Sequence, residues 1–253
     1  MIATRIRLMG RPHWLGLYAM ILVGWTALYG MALPADLRAA GAVYGLDLLA
    51  ALCAALPDAA GFGGLVAMWS VMSAAMMLPT TLPALATYDD LASAGAETRF
   101  SHLVAGYLAV WLGFSVLAAT AQMALFLIGL LDPFGTSLSR GLSAGLLALA
   151  GLYQLTPLKE ACLSKCRAPM MFFLQHWDEG PWRNGLRLGA VCLGCCWALM
   201  LLAFVGGVMN LAFMGVATVM MALEKLPMLG RWLTRPMGVG LLAAAALTLA
   251  TGS

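Results

Sequence analysis

The sequence predicts an all-α polytopic transmembrane bundle of about seven helices, six to eight, built as one membrane domain over residues 1–253. Three observations carry this expectation. Hydrophobic residues make up 62% of the chain and charged residues only 10%, against about 45–50% and 25% in soluble domains. Mean hydropathy is +0.90. Apolar runs recur at lengths close to the roughly 20 residues that cross a hydrocarbon layer. With 14 Lys+Arg and 11 Asp+Glu, the chain has too few charges to cover a 26.6 kDa globule in water. The net charge of +3 forms no basic stripe, which excludes nucleic acid as a partner.

Taken in chain order, MIATRIRLMGRPHW is basic and then apolar. The run behind it is long and has no small-residue cleavage motif, so 13–33 reads as a retained first helix. The stretch 42–57 carries Asp47 on an otherwise apolar face and stops at Pro57, as an interfacial helix would. Further crossings are expected at 62–87, 101–130, 139–156, 185–206, 208–224 and 237–252. Gly206-Gly207 interrupts an apolar stretch from Leu186 to Leu223 that is too long for one crossing at 1.5 Å per residue, and a tight hairpin resolves it. Gly141 with Gly145, and Gly185 with Gly189, have the spacing that lets helices approach closely in lipid. The segment 157–184 is the one long polar connection, and chemistry is expected near it. Placing the N-terminus in the cytoplasm puts Arg5, Arg7, Arg11, Arg99, Lys159, Lys165, Arg167, Arg183, Arg187, Lys225, Arg231 and Arg235 inside. Only Arg38 and Arg140 then lie outside, as the positive-inside rule requires.

Sulfur is the distinctive chemistry. Cys162 and Cys166 share one helical face at i, i+4, and Cys192, Cys195 and Cys196 share another at i, i+3, i+4. Both clusters fall toward the cytoplasmic half, on helices that a short connection makes antiparallel neighbours. Soft thiolates and thioethers favour Cu(I), Zn(II) or iron–sulfur species. Lys159, Lys165 and Arg167 flank the first pair, and nearby cations favour the thiolate, the form that ligates or attacks. Met68, Met72 and Met76 repeat every four residues with Met77 adjacent, and Met200 extends the Cys192–Cys196 face; such methionines fill cores as readily as they bind metal. Cys53 reads as a small core residue.

Other chemistry is thin. His13, His102 and His176 fall near expected interfaces, which is ordinary for an amphipathic ring. No ionisable residue sits mid-span, which argues against an ion-coupled carrier. Gln122, Gln154 and Asn210 are expected to bond neighbouring helices, and Glu224-Lys225 to anchor a helix at the interface. Serine–histidine catalysis, a phosphate loop and paired acids are absent as patterns, so a hydrolase is not expected.

Several blocks also resemble a known family. MWSVMSAAMMLPTTLP (68–83), GYLAVWLGFS (106–115), GLYQLTPLKEACLSKCRAP (151–169), and CLGCCWALM with GGVMNLAFM and LEK (192–225) resemble the predicted metal-binding integral membrane proteins termed domain of unknown function 2182. The resemblance covers about residues 62–226. It implies a bacterial inner (cytoplasmic) membrane protein with a metal site in the cysteine-rich region 151–200, matched by Cys162, Cys166, Cys195, Cys196 and the Met68–Met77 block.

The expectation is therefore a membrane-embedded protein that binds and handles a soft metal, Cu(I) ahead of Zn(II). Cys162, Cys166, Cys195 and Cys196 are the expected ligands, Cys192 an accessory, and Met72, Met76 and Met200 optional relay positions. Its partners would be the lipid bilayer and a metal-donor or acceptor protein or a membrane enzyme. The alternatives are an intramembrane thiol–disulfide oxidoreductase and a structural or assembly subunit of a membrane enzyme complex.

Overall fold

The computed structural model describes residues 12–33, 59–93 and 99–251. The expectations for the N-terminal arginines, Arg38, Cys53 and the 42–57 helix lie outside the described residues. Ten α-helices follow in order: α1 Pro12–Ala32, α2 Ala59–Ser93, α3 Phe100–Leu127, α4 Arg140–Gln154, α5 Pro157–Arg167, α6 Pro169–His176, α7 Gly180–Met200, the short α8 Ala203–Gly206, α9 Leu211–Glu224 and α10 Leu229–Ala250. A 3₁₀ turn, Trp177–Glu179, joins α6 to α7. Among the described residues the fold is all-α, with a single isolated bridge between Leu131 and Ser137.

Each of the seven apolar runs read from the sequence is a helix. Among the described residues five stretches are long and apolar enough to cross a membrane, and α4 with α5, bent by 63°, meets the same test only as a pair. α9 has 14 residues, about 21 Å of helix, and stops short of a bilayer's roughly 30 Å hydrocarbon core. The segment 157–184 is helical rather than an open connection. Thr156 caps α5 by accepting from Lys159 N, and Pro157 and Pro169 open α5 and α6, where a missing N–H costs nothing.

The closest helix contact is between the parallel helices α3 and α7. A side chain at Gly185 would collide with the Leu103 carbonyl, one at Gly106 with the Trp182 carbonyl, and one at Gly189 would stand 3.0 Å from Tyr107 O. Bare backbone on both sides brings the axes together. The other expected pair does not act this way: Gly145 has no neighbour within 4 Å, and Gly141 meets only Ser139 Oγ. Gly151 and Gly238 supply the close approach between α4 and α10 instead, each Cβ position falling 2.9 Å or 3.1 Å from the other's carbonyl oxygen. Gly207, at φ +90°, takes the left-handed turn that separates α8 from α9.

α2 carries Pro79 and Pro83 in its interior. Pro79 has no N–H for the carbonyl of Ala75, and Trp25 Nε1 of α1 donates to that oxygen at 3.0 Å. The hydroxyls of Thr80 and Thr81 both return to Met77 O at 2.9 Å. Pro79 thus opens a backbone carbonyl that α1 uses.

A buried ionic clasp ties α4, α5, α9 and α10. Glu224 accepts from Lys159 Nζ at 2.9 Å and from Gln154 Nε2 at 3.0 Å. Lys159 also donates to Gln154 Oε1. Arg167 donates from Nε to Glu224 O at 2.9 Å, from Nη1 to Glu160 at 2.9 Å, and from Nη2 to Thr234 Oγ1 at 3.3 Å. Lys159 is 0% and Glu224 1% exposed, so Glu224-Lys225 is no interface anchor: both side chains turn into the bundle. Gln122 and Gln154 bond neighbouring helices as expected, Gln122 through Trp69 Nε1 at 2.7 Å. Asn210 instead caps α9 by accepting from Phe213 N.

Two outcomes follow from this packing. Gly185→Leu is expected to lower the melting temperature of detergent-purified protein by roughly 5–10 °C, because the α3 backbone cannot yield; Gly145→Leu should leave it unchanged. Glu224→Leu strands the buried Lys159 ammonium and is expected to cost about 3–5 kcal/mol, read as a larger fall in melting temperature than Glu160→Leu produces.

Candidate metal centre

The centre is assembled around one face of α7, past the midpoint of that helix and beside the C-terminal cap of α9. Helical periodicity places Cys192, Cys195 and Cys196 together, and their three Sγ atoms lie within 4.8 Å of one another. All three are buried. Cys195 Sγ is 3.2 Å from Cys196 Sγ and donates to the Cys192 carbonyl at 3.1 Å. These thiols are free, and 3.2 Å is far longer than a disulfide's roughly 2.05 Å.

The other two described cysteines come from α5. The Cys166 side chain lies beside Cys195 without joining the trio, and it shares the wall of a small cavity with Cys192. Cys162 lies one turn away along α5 and packs on the bare backbone of α7, its Sγ 2.7 Å from where a Cβ of Gly194 would be. Tyr153 donates to the Gly194 carbonyl and stacks edge-on against Trp197, closing the same side. Both α5 thiols are half-buried.

The structure brings the α7 cysteines together and sets the α5 pair beside them. Cys192 belongs to the central trio rather than at its margin, Cys166 approaches it, and Cys162 flanks it. Met72, Met76 and Met200 are buried in the packed core that surrounds the thiols. Met77 O meets Tyr107, so along α2 Met76 and Met72 continue from that level toward the opposite end, as Met200 does along α7. The histidines take no part: His13 faces Asp89 at 3.3 Å, and His176 Nδ1 is 2.8 Å from Phe172 O.

Four residues that sequence reasoning did not single out complete the site. Lys225, at the C-terminal cap of α9, donates from Nζ to Cys192 Sγ at 3.0 Å and to Thr80 Oγ1 at 2.6 Å. The Tyr107 hydroxyl lies 3.1 Å from Cys192 Sγ, 2.7 Å from Thr81 Oγ1 and 3.2 Å from Met77 O. Thr80, Thr81, Tyr107 and Lys225 all occur inside the blocks quoted above. Nothing in their spacing links them to a cysteine, since Tyr107 and Cys192 are 85 residues apart.

Chemically, the arrangement is a sulfur cluster with one fixed cation beside it. The cavity between Thr80, Thr81, Cys166, Cys192 and Lys225 holds about 20 Å³, room for about one water or one ion. A small organic substrate does not fit. No carboxylate joins the trio among the described residues, so the donor set is soft throughout.

Comparison with curated proteins and with solved structures finds no match. Comparison with protein-family models matches residues 66–248 to PpoB2, copper chaperone. The matched span takes in the five thiols of α5 and α7, Tyr107, the threonine pair and Lys225. It covers well over half of the chain, and the protein therefore belongs to the PpoB2 copper-chaperone family.

Proposed function

We propose that the protein is a multi-pass membrane protein that takes up Cu(I) on Cys192, Cys195 and Cys196, with Cys166 as an exchangeable further ligand, and delivers it to an acceptor protein. The observation that carries the reading is the buried sulfur trio within 4.8 Å. A metal–thiolate bond is about 2.3 Å, so two sulfurs on one ion stand at most about 4.6 Å apart. The trio needs only small rotations to close on one metal.

The surroundings favour Cu(I) over Zn(II). Structural zinc takes four ligands in a tetrahedron, whereas the three thiols of α7 lie on one helical face and leave the fourth position to another helix. Several thiolates on a monovalent ion also carry net negative charge. In a low-dielectric interior that charge calls for a nearby cation, and Lys225 stands at hydrogen-bond distance from Cys192. Cys162, half-buried beside Gly194, is suited to exchange with a partner's ligand. Met72, Met76 and Met200 would be weaker thioether positions farther along the bundle.

Membrane embedding is supported by the apolar spans and by the distribution of cations. Arg99, Arg183, Arg187, Arg231 and Arg235 lie before or in the first two turns of α3, α7 and α10, and Arg140 begins α4 at the opposite end. On the positive-inside rule this distribution supports a cytoplasmic side at the starts of α3, α7 and α10, with the N-terminus on that side. The resemblance to the domain of unknown function 2182, over 62–226, and the family match over 66–248 coincide so closely that we take them as one family. Thiol–disulfide exchange stands second, because the shortest thiol pair is Cys195-Cys196, neighbours on one helix that rarely close a relaxed disulfide.

Element-resolved mass spectrometry of protein purified under reducing conditions tests the reading. About one copper per chain is expected, lost when Cys192, Cys195 and Cys196 are all replaced by Ala; equal copper in both proteins would overturn it. Cys166→Ala should weaken copper retention against a chelator by about 10–100-fold, and Cys162→Ser should alter transfer to an acceptor more than retention. Thiol trapping in cells separates the redox alternative: a copper site gives reduced thiols that are protected until a chelator is added, and a mixed oxidised population would favour an oxidoreductase.

A further inference from the structure

A second feature lies away from the thiols, where α4 bends into α5 against the first turns of α10. It is a cavity of about 970 Å³, far larger than the one beside Cys192. Its walls combine the apolar surfaces of Leu155, Pro157 and Pro236 with Arg231, Trp232 and Arg235. The two arginines are four residues apart, so one helical face presents both guanidinium groups.

Neither guanidinium forms an ion pair among the described residues, and both side chains are exposed. The acid in the same wall, Glu160, is engaged by Arg167 Nη1 at 2.9 Å. The cavity therefore holds two uncommitted positive charges. Trp232 beside them is 83% exposed, an unusual placement for the largest amphipathic ring unless it lies at a membrane interface. Both helices change character at this level. α4 is apolar up to Gln154 and α5 carries Lys159, Glu160, Lys165 and Arg167; α10 is apolar from Met237 onward. The cavity thus sits where hydrocarbon gives way to water.

We infer that this cavity binds the phosphate headgroup of an anionic phospholipid, held by Arg231 and Arg235 and covered by Trp232. Guanidinium groups fork onto phosphate oxygens with two parallel hydrogen bonds. The acyl chains would run along the exposed side chains of Leu152 and Val239, which are 59% and 60% exposed. The occupant would touch the α4–α5 bend and so pin the helix that bears Cys162 and Cys166 to the inner surface of the bilayer. The inference rests on the membrane reading above.

The test is native mass spectrometry of the full chain extracted from nanodiscs containing equal neutral and anionic phospholipid. Wild-type protein is expected to retain anionic lipid preferentially, and Arg231→Gln with Arg235→Gln to reduce that retention by about tenfold while copper content stays unchanged. Equal retention by the double variant would overturn the inference. So would loss of bound lipid to excess inorganic phosphate, which would mark a site for a soluble anion. Failure of the membrane reading shows differently: the wild-type chain would stay in solution without detergent and insert into no nanodisc.

Discussion

The arrangement of this protein depends on burying Glu224 with its partners. A carboxylate taken out of water is tolerable only when its lone pairs are filled and its charge is met. Lys159 and Gln154 do this on the carboxylate, and Arg167 takes the backbone carbonyl of the same residue. Those partners come from the end of α4 and from both ends of α5. Since Arg167 also reaches Thr234, one residue, through its carboxylate and its carbonyl, fixes where α4, α5, α9 and α10 meet. It also sets the next residue. With Glu224 held, Lys225 emerges from the cap of α9 toward Thr80 and Cys192.

This explains why α5 can be both polar and placed inside. Lys159, Leu163 and Arg167 recur at i, i+4, i+8 and are buried, so a helix with four charges in eleven residues still has an inward face. The cysteines at 162 and 166 stand beside that stripe and are brought to α7 by it. In composition the segment looks like a solvated connection; in the fold it is the element that carries thiols to the cluster. Its cations contribute through the clasp rather than by touching sulfur.

What could be read in advance divides along the same line. Hydrophobic runs located α1, α3, α4, α7 and α10, because burial in lipid is a property of single segments. Helical spacing gathered Cys192, Cys195 and Cys196 correctly, because i, i+3 and i+4 fall on one face whatever surrounds them. The role of Gly185 was legible for the same reason, but Gly145 has identical spacing and meets nothing; only the neighbour decides. Lys225, Tyr107 and the Thr80–Thr81 pair were not legible as a site. Tyr107 and Lys225 join Cys192 through tertiary contact across 85 and 33 residues, the threonines join through those two, and a lysine after an apolar helix has the same local signature as an interfacial anchor. Pro79 was visible, yet its consequence, a carbonyl opened for Trp25, needed α1 in place.

The contrast between the two helices that bear thiols also limits how an ion could come and go. α7 is locked to α3 by backbone-on-backbone contact at Gly106, Gly185 and Gly189, and close-packed interiors do not deform by degrees. A trio on that helix is a rigid platform. α5 is held otherwise, by side-chain ion pairs and a 63° bend at its junction with α4. The cavity between the two is about 20 Å³, too small to pass a hydrated ion. On the copper reading proposed above, the α7 trio is therefore the fixed part of the site, and Cys162 and Cys166 on α5, half-buried, are the sulfurs nearer its edge.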